Sequence, residues 1–202
     1  MSKQYFMNQP EVAHQQREIV YEVAPYRLKL TTDNGVFSKN QVDYGSNVLV
    51  ETLLAELNSV EAEVIVELGS GYGPIALMLA KQLPNAVVTG IEINERAYHL
   101  AQQNAQRNGI ENCQFINGDA ITALLEVQPT VVVTNPPIRA GKAVVHGFIE
   151  RAAQLLSADG VLYVVIQKKQ GAPSAEKLMR QLFSVVEKVT QDKGYWILRG
   201  VK

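Results

Sequence analysis

Eleven consecutive residues, Val64-Ile-Val-Glu67-Leu-Gly69-Ser-Gly71-Tyr-Gly73-Pro74, leave the chain few choices. A β-branched start ends in an acid, three glycines alternate after it, and Pro74 opens an apolar periodic segment. The pattern predicts a buried strand, a tight glycine loop and a helix whose first position is proline, where the missing N–H costs nothing. At such a junction a nucleotide-like ligand can approach bare backbone beside a helix N-terminus.

From residue 64 onward strand and helix patterns alternate. Strands are expected at Val64–Glu67, Val87–Ile91, Cys113–Ile116, Thr130–Thr134 and Val161–Gln167. Helices are expected from Pro74 to about Leu83, and at Glu95–Asn108 with Asn94 as cap and Gly109 as stop. A short helix should follow Asp119 through Leu125, and Ala143–Leu156 carries a strong apolar face. After a helix at Ser174–Leu182, two closing strands, Ser184–Thr190 and Tyr195–Arg199, flank the hairpin-type turn Gln191-Asp-Lys-Gly194. Repeated strand–helix units with apolar strands indicate an α/β protein whose mostly parallel sheet is covered on both faces, with an antiparallel edge.

Upstream, Arg27–Thr31 alternates like a half-exposed strand, and Asn47–Leu57 reads as an amphipathic helix capped by Ser46 or Asn47. Residues 1–26 are polar and weakly periodic and read as a loosely ordered lead-in. One domain is therefore expected over residues 27–202, with 27–57 as a cap on a core at 64–202.

Hydrophobic content of 47% with near-balanced charge fits a soluble globular chain. No apolar run approaches the roughly 18–20 residues of a membrane span, and the N-terminus shows no signal-peptide h-region. A single cysteine, Cys113, excludes an internal disulfide framework and suits a cytoplasmic location; within its apolar run it reads as a buried strand residue. His14 reads as exposed, and His99 and His146 have no partners at metal-ligand spacing, so no metal is expected. Residues 1–138 hold 8 Lys+Arg against 15 Asp+Glu, a net of −7, while residues 139–202 hold 11 against 5, a net of +6. That split hints at a polyanionic partner for the C-terminal half, or at scattered solvated charge.

Ligands of open α/β sheets bind beyond the carboxyl ends of the strands. The first strand ends in Glu67 and the glycine loop, the second in Glu92, the third in Asp119, and the fourth in Asn135-Pro136-Pro137. No Lys-Ser/Thr follows the glycines, which excludes a Walker phosphate loop, and Pro74 stands where a dinucleotide fold places its third glycine. The nearby acid disfavours a phosphate and favours a ligand carrying an amine and a sulfonium. Glu92 sits where an acid holds a ribose diol, and Asp119 suits an adenine amino group. An exocyclic base amine is a poor nucleophile because its lone pair is delocalised. A carboxamide oxygen and a backbone carbonyl accepting from that amine would favour its pyramidal transition state. The two prolines fix φ and remove competing donors.

Glu67-Leu-Gly-Ser-Gly-Tyr-Gly, Glu92, Gly118-Asp119-Ala and Asn135-Pro-Pro-Ile together resemble the motif series of class I S-adenosylmethionine (AdoMet)-dependent methyltransferases. Gly35-Val-Phe-Ser-Lys39 and Asp43-Tyr-Gly-Ser46 resemble more narrowly the small methyltransferase domain group, which contains ribosomal RNA guanine-N2 methyltransferases. The resemblance implies a Rossmann-like seven-stranded sheet of order 3-2-1-4-5-7-6. It implies AdoMet held by Glu67, Gly69, Ser70, Gly71, Gly73, Glu92, Ile93, Asp119, Ala120 and Asn135, with Asn135, Pro136 and Pro137 at the target amine. The duplicated N-terminal domain of two-domain members is expected to be absent. Such amine methyltransferases usually carry an aromatic residue after the prolines to stack on a flipped base. Here that residue is Ile138, so Phe37 or Tyr44 is expected to supply the stack, unless the substrate is not a base.

Arg139, Lys142, Lys168 and Lys169 follow strands four and five on the same edge and are candidate phosphate contacts. The expected activity is N-methylation of a guanine amine in ribosomal RNA of the 16S type by a monomeric enzyme. Asn-Pro-Pro resembles equally the signature of adenine-N6 and protein-glutamine methyltransferases. A silent RNA-binding module and an NAD-dependent oxidoreductase are the readings from other classes.

Overall fold

In Val131-Val-Val-Thr134 every residue is buried, and successive side chains enter opposite layers, Val131 and Val133 on one side and Val132 on the other. A strand that is apolar on both faces must be covered on both, and the whole architecture follows from that requirement. The computed structural model describes residues 12–57 and 63–202. Its central sheet contains β3 (Val64–Leu68), β4 (Val87–Glu92), β5 (Cys113–Asn117), β6 (Val131–Thr134), β7 (Val161–Gln167), β8 (Val185–Asp192) and β9 (Tyr195–Val201), in the order β5-β4-β3-β6-β7-β9-β8. Counted from β3, this is the expected 3-2-1-4-5-7-6. The first five strands are parallel, and β9 runs antiparallel between β7 and β8.

Helices α1 (Tyr44–Glu56), α2 (Pro74–Gln82) and α3 (Glu95–Arg107) cover one face of the sheet, and α4 (Lys142–Leu155) and α5 (Ala172–Leu182) cover the other. Cys113 is a partly buried residue of β5, and burial pushes its thiol well above the usual range, as suits a packing residue.

Three sequence expectations are corrected. The lead-in at 1–26 is not loose throughout: Arg17–Val23 forms β1, antiparallel to β2 (Tyr26–Thr32) in a separate two-stranded ribbon. Ile19, Tyr21 and Val23 alternate inward along β1, a period-two signal that the polar composition around it masks. Residues 1–11 lie outside the described part of the chain. Second, α1 begins at Tyr44 with Asp43 as its cap, accepting from the Ser46 N–H at 3.2 Å; the Ser46 hydroxyl is engaged elsewhere, which is why it does not cap. Third, the segment after Asp119 is one turn rather than a helix. Asp119 receives the Ile121 N–H on its side chain and the Thr122 and Ala123 N–H groups on its carbonyl, and the chain then leaves with Leu124 exposed.

The ribbon is docked by asparagines rather than by a third strand. Asn104 of α3 accepts from the Thr31 N–H at 2.7 Å and donates to the Thr31 and Tyr72 carbonyls. Asn108, one turn on, makes the same paired contact with Lys29. An asparagine side chain carries an amide group that donates and a carbonyl that accepts, so two at i and i+4 imitate a strand edge. Asn104 is fully buried. Asn104→Ala strands an N–H and two carbonyls and should cost roughly 3 kcal/mol in a urea melt.

Residues 33–39 then cross the carboxyl end of the sheet. Asn94 donates to the Gly35 carbonyl, Tyr72 to the Ser38 carbonyl, and Arg96 to the Asn34 and Val12 carbonyls. Asp33 is buried at their start and receives the Gln15 N–H and the His14 ring. Burial would raise its carboxyl, but these bonds and Arg96 bring it below the usual value. His14 is largely solvent-exposed, as expected.

Candidate active site

The glycine loop is shaped by what surrounds it. Gly69, Gly71 and Gly73 have φ of 77°, 57° and 92°, left-handed values that disfavour any side chain. The loop hangs from β4 through the Gly69 and Ser70 N–H groups, both donated to the Ile91 carbonyl. It fits there because position 90 is bare: a Cβ on Gly90 would stand 2.8 Å from the Ser70 Cβ and 2.6 Å from Phe115.

Gly73 caps α2 without a side chain, and Glu67 fills that deficit. From the end of β3 its Oε2 accepts the Ala76 N–H at 2.9 Å, leaving the other oxygen with no partner among the described residues. Burial pushes the Glu67 carboxyl well above the usual range; the Ala76 bond opposes this and the Glu92 charge adds to it. Glu92 accepts the Gly71 N–H at 2.7 Å on one oxygen and the Asn94 N–H at 2.7 Å on the other. Burial nevertheless pushes its carboxyl up to about 7 against those bonds.

A cavity of about 420 Å³ opens at this edge. Glu67, Gly69, Ser70, Gly71, Glu92, Ile93, Asp119, Ala120 and Asn135 line it, so the acids from three strand ends and the asparagine from a fourth converge on one space. Gly73 shapes the loop from behind and does not line it. The volume suits a nucleoside-sized ligand. The Ser70 hydroxyl is buried without a hydrogen-bond partner among the described residues, a polar atom that a ligand in this cavity would satisfy. Glycine backbone, an orphan hydroxyl and two buried carboxylates fit AdoMet, whose amine and sulfonium would compensate the carboxylates and whose ribose hydroxyls would donate to Glu92.

At the other end, Asn135 donates its amide to Asp43 Oδ2 at 3.0 Å and Ser46 Oγ at 2.9 Å. Both donors of the carboxamide are thereby consumed, and its oxygen, without a partner among the described residues, is the atom left for a ligand. Asp43 thus serves α1 and Asn135 with the same carboxylate oxygen. The sequence displays Asp43-Tyr-Gly-Ser46 plainly, but nothing local connects it to residue 135, which lies 89 to 92 positions away. Thr134, buried beneath, ties β6 to β3 by donating to the Leu68 carbonyl.

The acceptor-side expectations divide. Phe37, Pro136, Pro137, Ile138 and Arg139 line the cavity. Tyr44 does not: its hydroxyl donates to Asp192, and its ring packs against Tyr195 and under the Lys193 ammonium. Tyr44 is therefore corrected from a base-stacking candidate to a support, because the β8–β9 hairpin captures it. Lys142, Lys168 and Lys169 are exposed and stand outside the lining, at the start of α4 and in the short 3₁₀ turn after β7. Lys193 is a further exposed cation in the hairpin turn, which is joined to Lys168 by the Lys168 N–H to Gly194 carbonyl bond. Sequence reasoning did not single out Tyr195, Gln167 or Gln170, all of which line the cavity. Tyr195 arrives opposite Gln167 by antiparallel pairing of β9 on β7, which no local motif announces, and Gln170 lies in the short turn after β7. Among the described residues no three His, Cys, Asp or Glu side chains gather at metal-binding separation, and no helix is long and apolar enough to cross a membrane.

Comparison with known proteins agrees with this geometry. The model of the methyltransferase small domain family matches residues 27–199. Thermus thermophilus RsmC, a 16S rRNA N2 G1207 methyltransferase solved with AdoMet and guanosine, superposes with a TM-score of 0.83 at 27% identity, covering 93% of this chain and 50% of that one. The ribosomal RNA large subunit methyltransferase G of Shewanella baltica is 31% identical over 157 residues, 74% of this chain but 40% of the relative. The uncharacterized protein YbxB of Bacillus subtilis is 40% identical over the full length of both chains. The chain thus spans half or less of these two ribosomal RNA methyltransferases. With its strand-end acids, glycine loop and Asn-Pro-Pro in place, the chain belongs to the methyltransferase small domain family and is an AdoMet-dependent methyltransferase.

Proposed function

We propose that this enzyme methylates the exocyclic N2 amine of a guanine in ribosomal RNA. The observation that carries the reading is the fixed carboxamide of Asn135. With both amide hydrogens committed to Asp43 and Ser46, the side chain presents an acceptor, the polarity an N–H₂ substrate requires. Bound AdoMet supplies an electrophilic methyl group on a sulfonium. Asn135 Oδ1 and the Pro136 carbonyl accept the two N–H bonds of the amine, drawing its lone pair out of conjugation and towards the methyl carbon. That nitrogen would take the methyl group from AdoMet held by Glu67, Glu92 and the glycine loop, leaving the carbon–sulfur electron pair on sulfur, and one amine proton would then pass to water.

Ribosomal RNA is favoured over a protein glutamine by the positive C-terminal third and by the exposed cations Lys142, Lys168, Lys169 and Lys193 with Arg139 at the mouth. Two of the relatives, RsmC and methyltransferase G, are ribosomal RNA methyltransferases, RsmC at a guanine N2. Labelled AdoMet should transfer its methyl group to unmodified ribosomal RNA or ribosomal subunits, and nucleoside digestion should place the label in N2-methylguanosine. Label in N6-methyladenosine would replace the guanine assignment, and label confined to protein would sink the RNA reading.

A further inference from the structure

The Asp43-Tyr-Gly-Ser46 turn is tied to the end of β6 and to the β8–β9 hairpin by more than a helix cap needs. Asp43 and Ser46 hold Asn135. Gly45 is kept bare by Tyr195: a Cβ there would lie 2.6 Å from Tyr195 Cε1 and 2.7 Å from Cδ1. Tyr44 supports the same ring from behind, with centroids 5.9 Å apart at 49°, and is itself held by Asp192 and Lys193 of the hairpin. All four residues of the turn therefore place either Asn135 or the Tyr195 ring, and both line the cavity. Gln167 stands opposite Tyr195 in the β7–β9 register and lines the same space.

We propose that Tyr195 is the aromatic residue that holds the methyl acceptor, in the role that Ile138 cannot fill. The assignment rests on the function proposed above and narrows its acceptor to a flat heteroaromatic ring. A ring whose amine meets Asn135 lies in the acceptor end of the cavity, where Tyr195 is the aromatic wall and Ile138 the aliphatic one. An extended π-face gains from such a wall in a way that a single carboxamide does not. Phe37, the other aromatic candidate, belongs to the opposite end. Its loop is bonded to the glycine loop through Tyr72 and Ser38, and to the start of α3 through Asn94 and Gly35, which puts Phe37 on the side where AdoMet would be held.

The test uses the full chain, calorimetry with AdoMet, and steady-state methylation of unmodified ribosomal RNA. Tyr195→Leu should leave AdoMet affinity within about twofold and lower kcat/KM for RNA about 10- to 100-fold, chiefly through KM, whereas Tyr195→Phe should stay within about threefold of wild type. Gly45→Ala, whose Cβ would press on the Tyr195 ring and also stand 3.0 Å from Asp43 Oδ2, should raise KM for RNA in the same direction and lower kcat as well. Phe37→Leu should do the converse, weakening AdoMet binding and sparing KM for RNA. Thermal melts identify any variant that fails to fold, and the Phe variant then carries the comparison. If wild type methylates RNA and Tyr195→Leu matches it, or loses only AdoMet affinity, this assignment falls while the proposed function stands. If wild type methylates no RNA, the proposed function falls and the acceptor assignment with it.

Discussion

Asn135→Ala should lower turnover about 10²- to 10³-fold while leaving AdoMet affinity within a factor of about three. The split follows from where the side chain is anchored. Its amide faces Asp43 and Ser46, on the α1 side, and its oxygen is the acceptor that strengthens only as the target amine pyramidalises. Interactions made only in the transition state appear in kcat, so KM for the acceptor should move little. Ser46→Ala removes one of two anchors and should give an intermediate loss, since the carboxamide can then rotate about the remaining bond to Asp43. Single-turnover methylation with saturating AdoMet checks both. An alanine variant that turns over at the wild-type rate would remove Asn135 from the chemistry.

Glu92→Gln should weaken AdoMet binding about 10- to 100-fold, because charge-assisted bonds to the ligand and to the Gly71 and Asn94 amides all lose strength together. The wild-type affinity should also carry a pH signature. The Glu92 carboxyl is pushed up to about 7 by burial, and only its ionised form could accept two ribose hydroxyls. Affinity should therefore rise about tenfold per pH unit below that value and flatten above it, a trend that Glu92→Gln should abolish. Stability of the ligand-free protein should run the opposite way. Between the ordinary carboxyl value and about 7 the folded state binds more protons than the unfolded chain, so the contribution is lost as pH rises through the folded value. Calorimetric titrations from pH 5.5 to 8.5, paired with urea melts, would show both trends. A pH-independent affinity would mean that Glu92 does not face the ribose.

The parts of the fold that were legible in the sequence are those written in short-range periodicity. Val131-Val-Val-Thr134, Pro74 after the glycines, and Asn94 ahead of α3 each declare their state within one turn or one strand. The β1 strand was obscured because its inward residues are diluted by three charged ones, and its ribbon is completed by Asn104 and Asn108 at the end of a helix. The helix expected after Asp119 failed because Asp119, taking the Ile121 amide on its carboxylate and the Thr122 and Ala123 amides on its carbonyl, closes one turn without needing a second.

The same division runs through the site. The acids Glu67, Glu92 and Asp119 and the Asn135-Pro-Pro segment are determined by the chain alone, since each ends a strand of a parallel sheet and parallel strands bring their carboxyl ends to one edge. What only the tertiary structure decided is the acceptor side. Asp43 and Ser46 turn the Asn135 carboxamide, the β8–β9 hairpin withdraws Tyr44, and Tyr195 takes the wall of the cavity. Those contacts join residues roughly 90 to 150 positions apart, through a helix cap and an antiparallel register. Side-chain packing across such separations leaves no periodic trace in either partner.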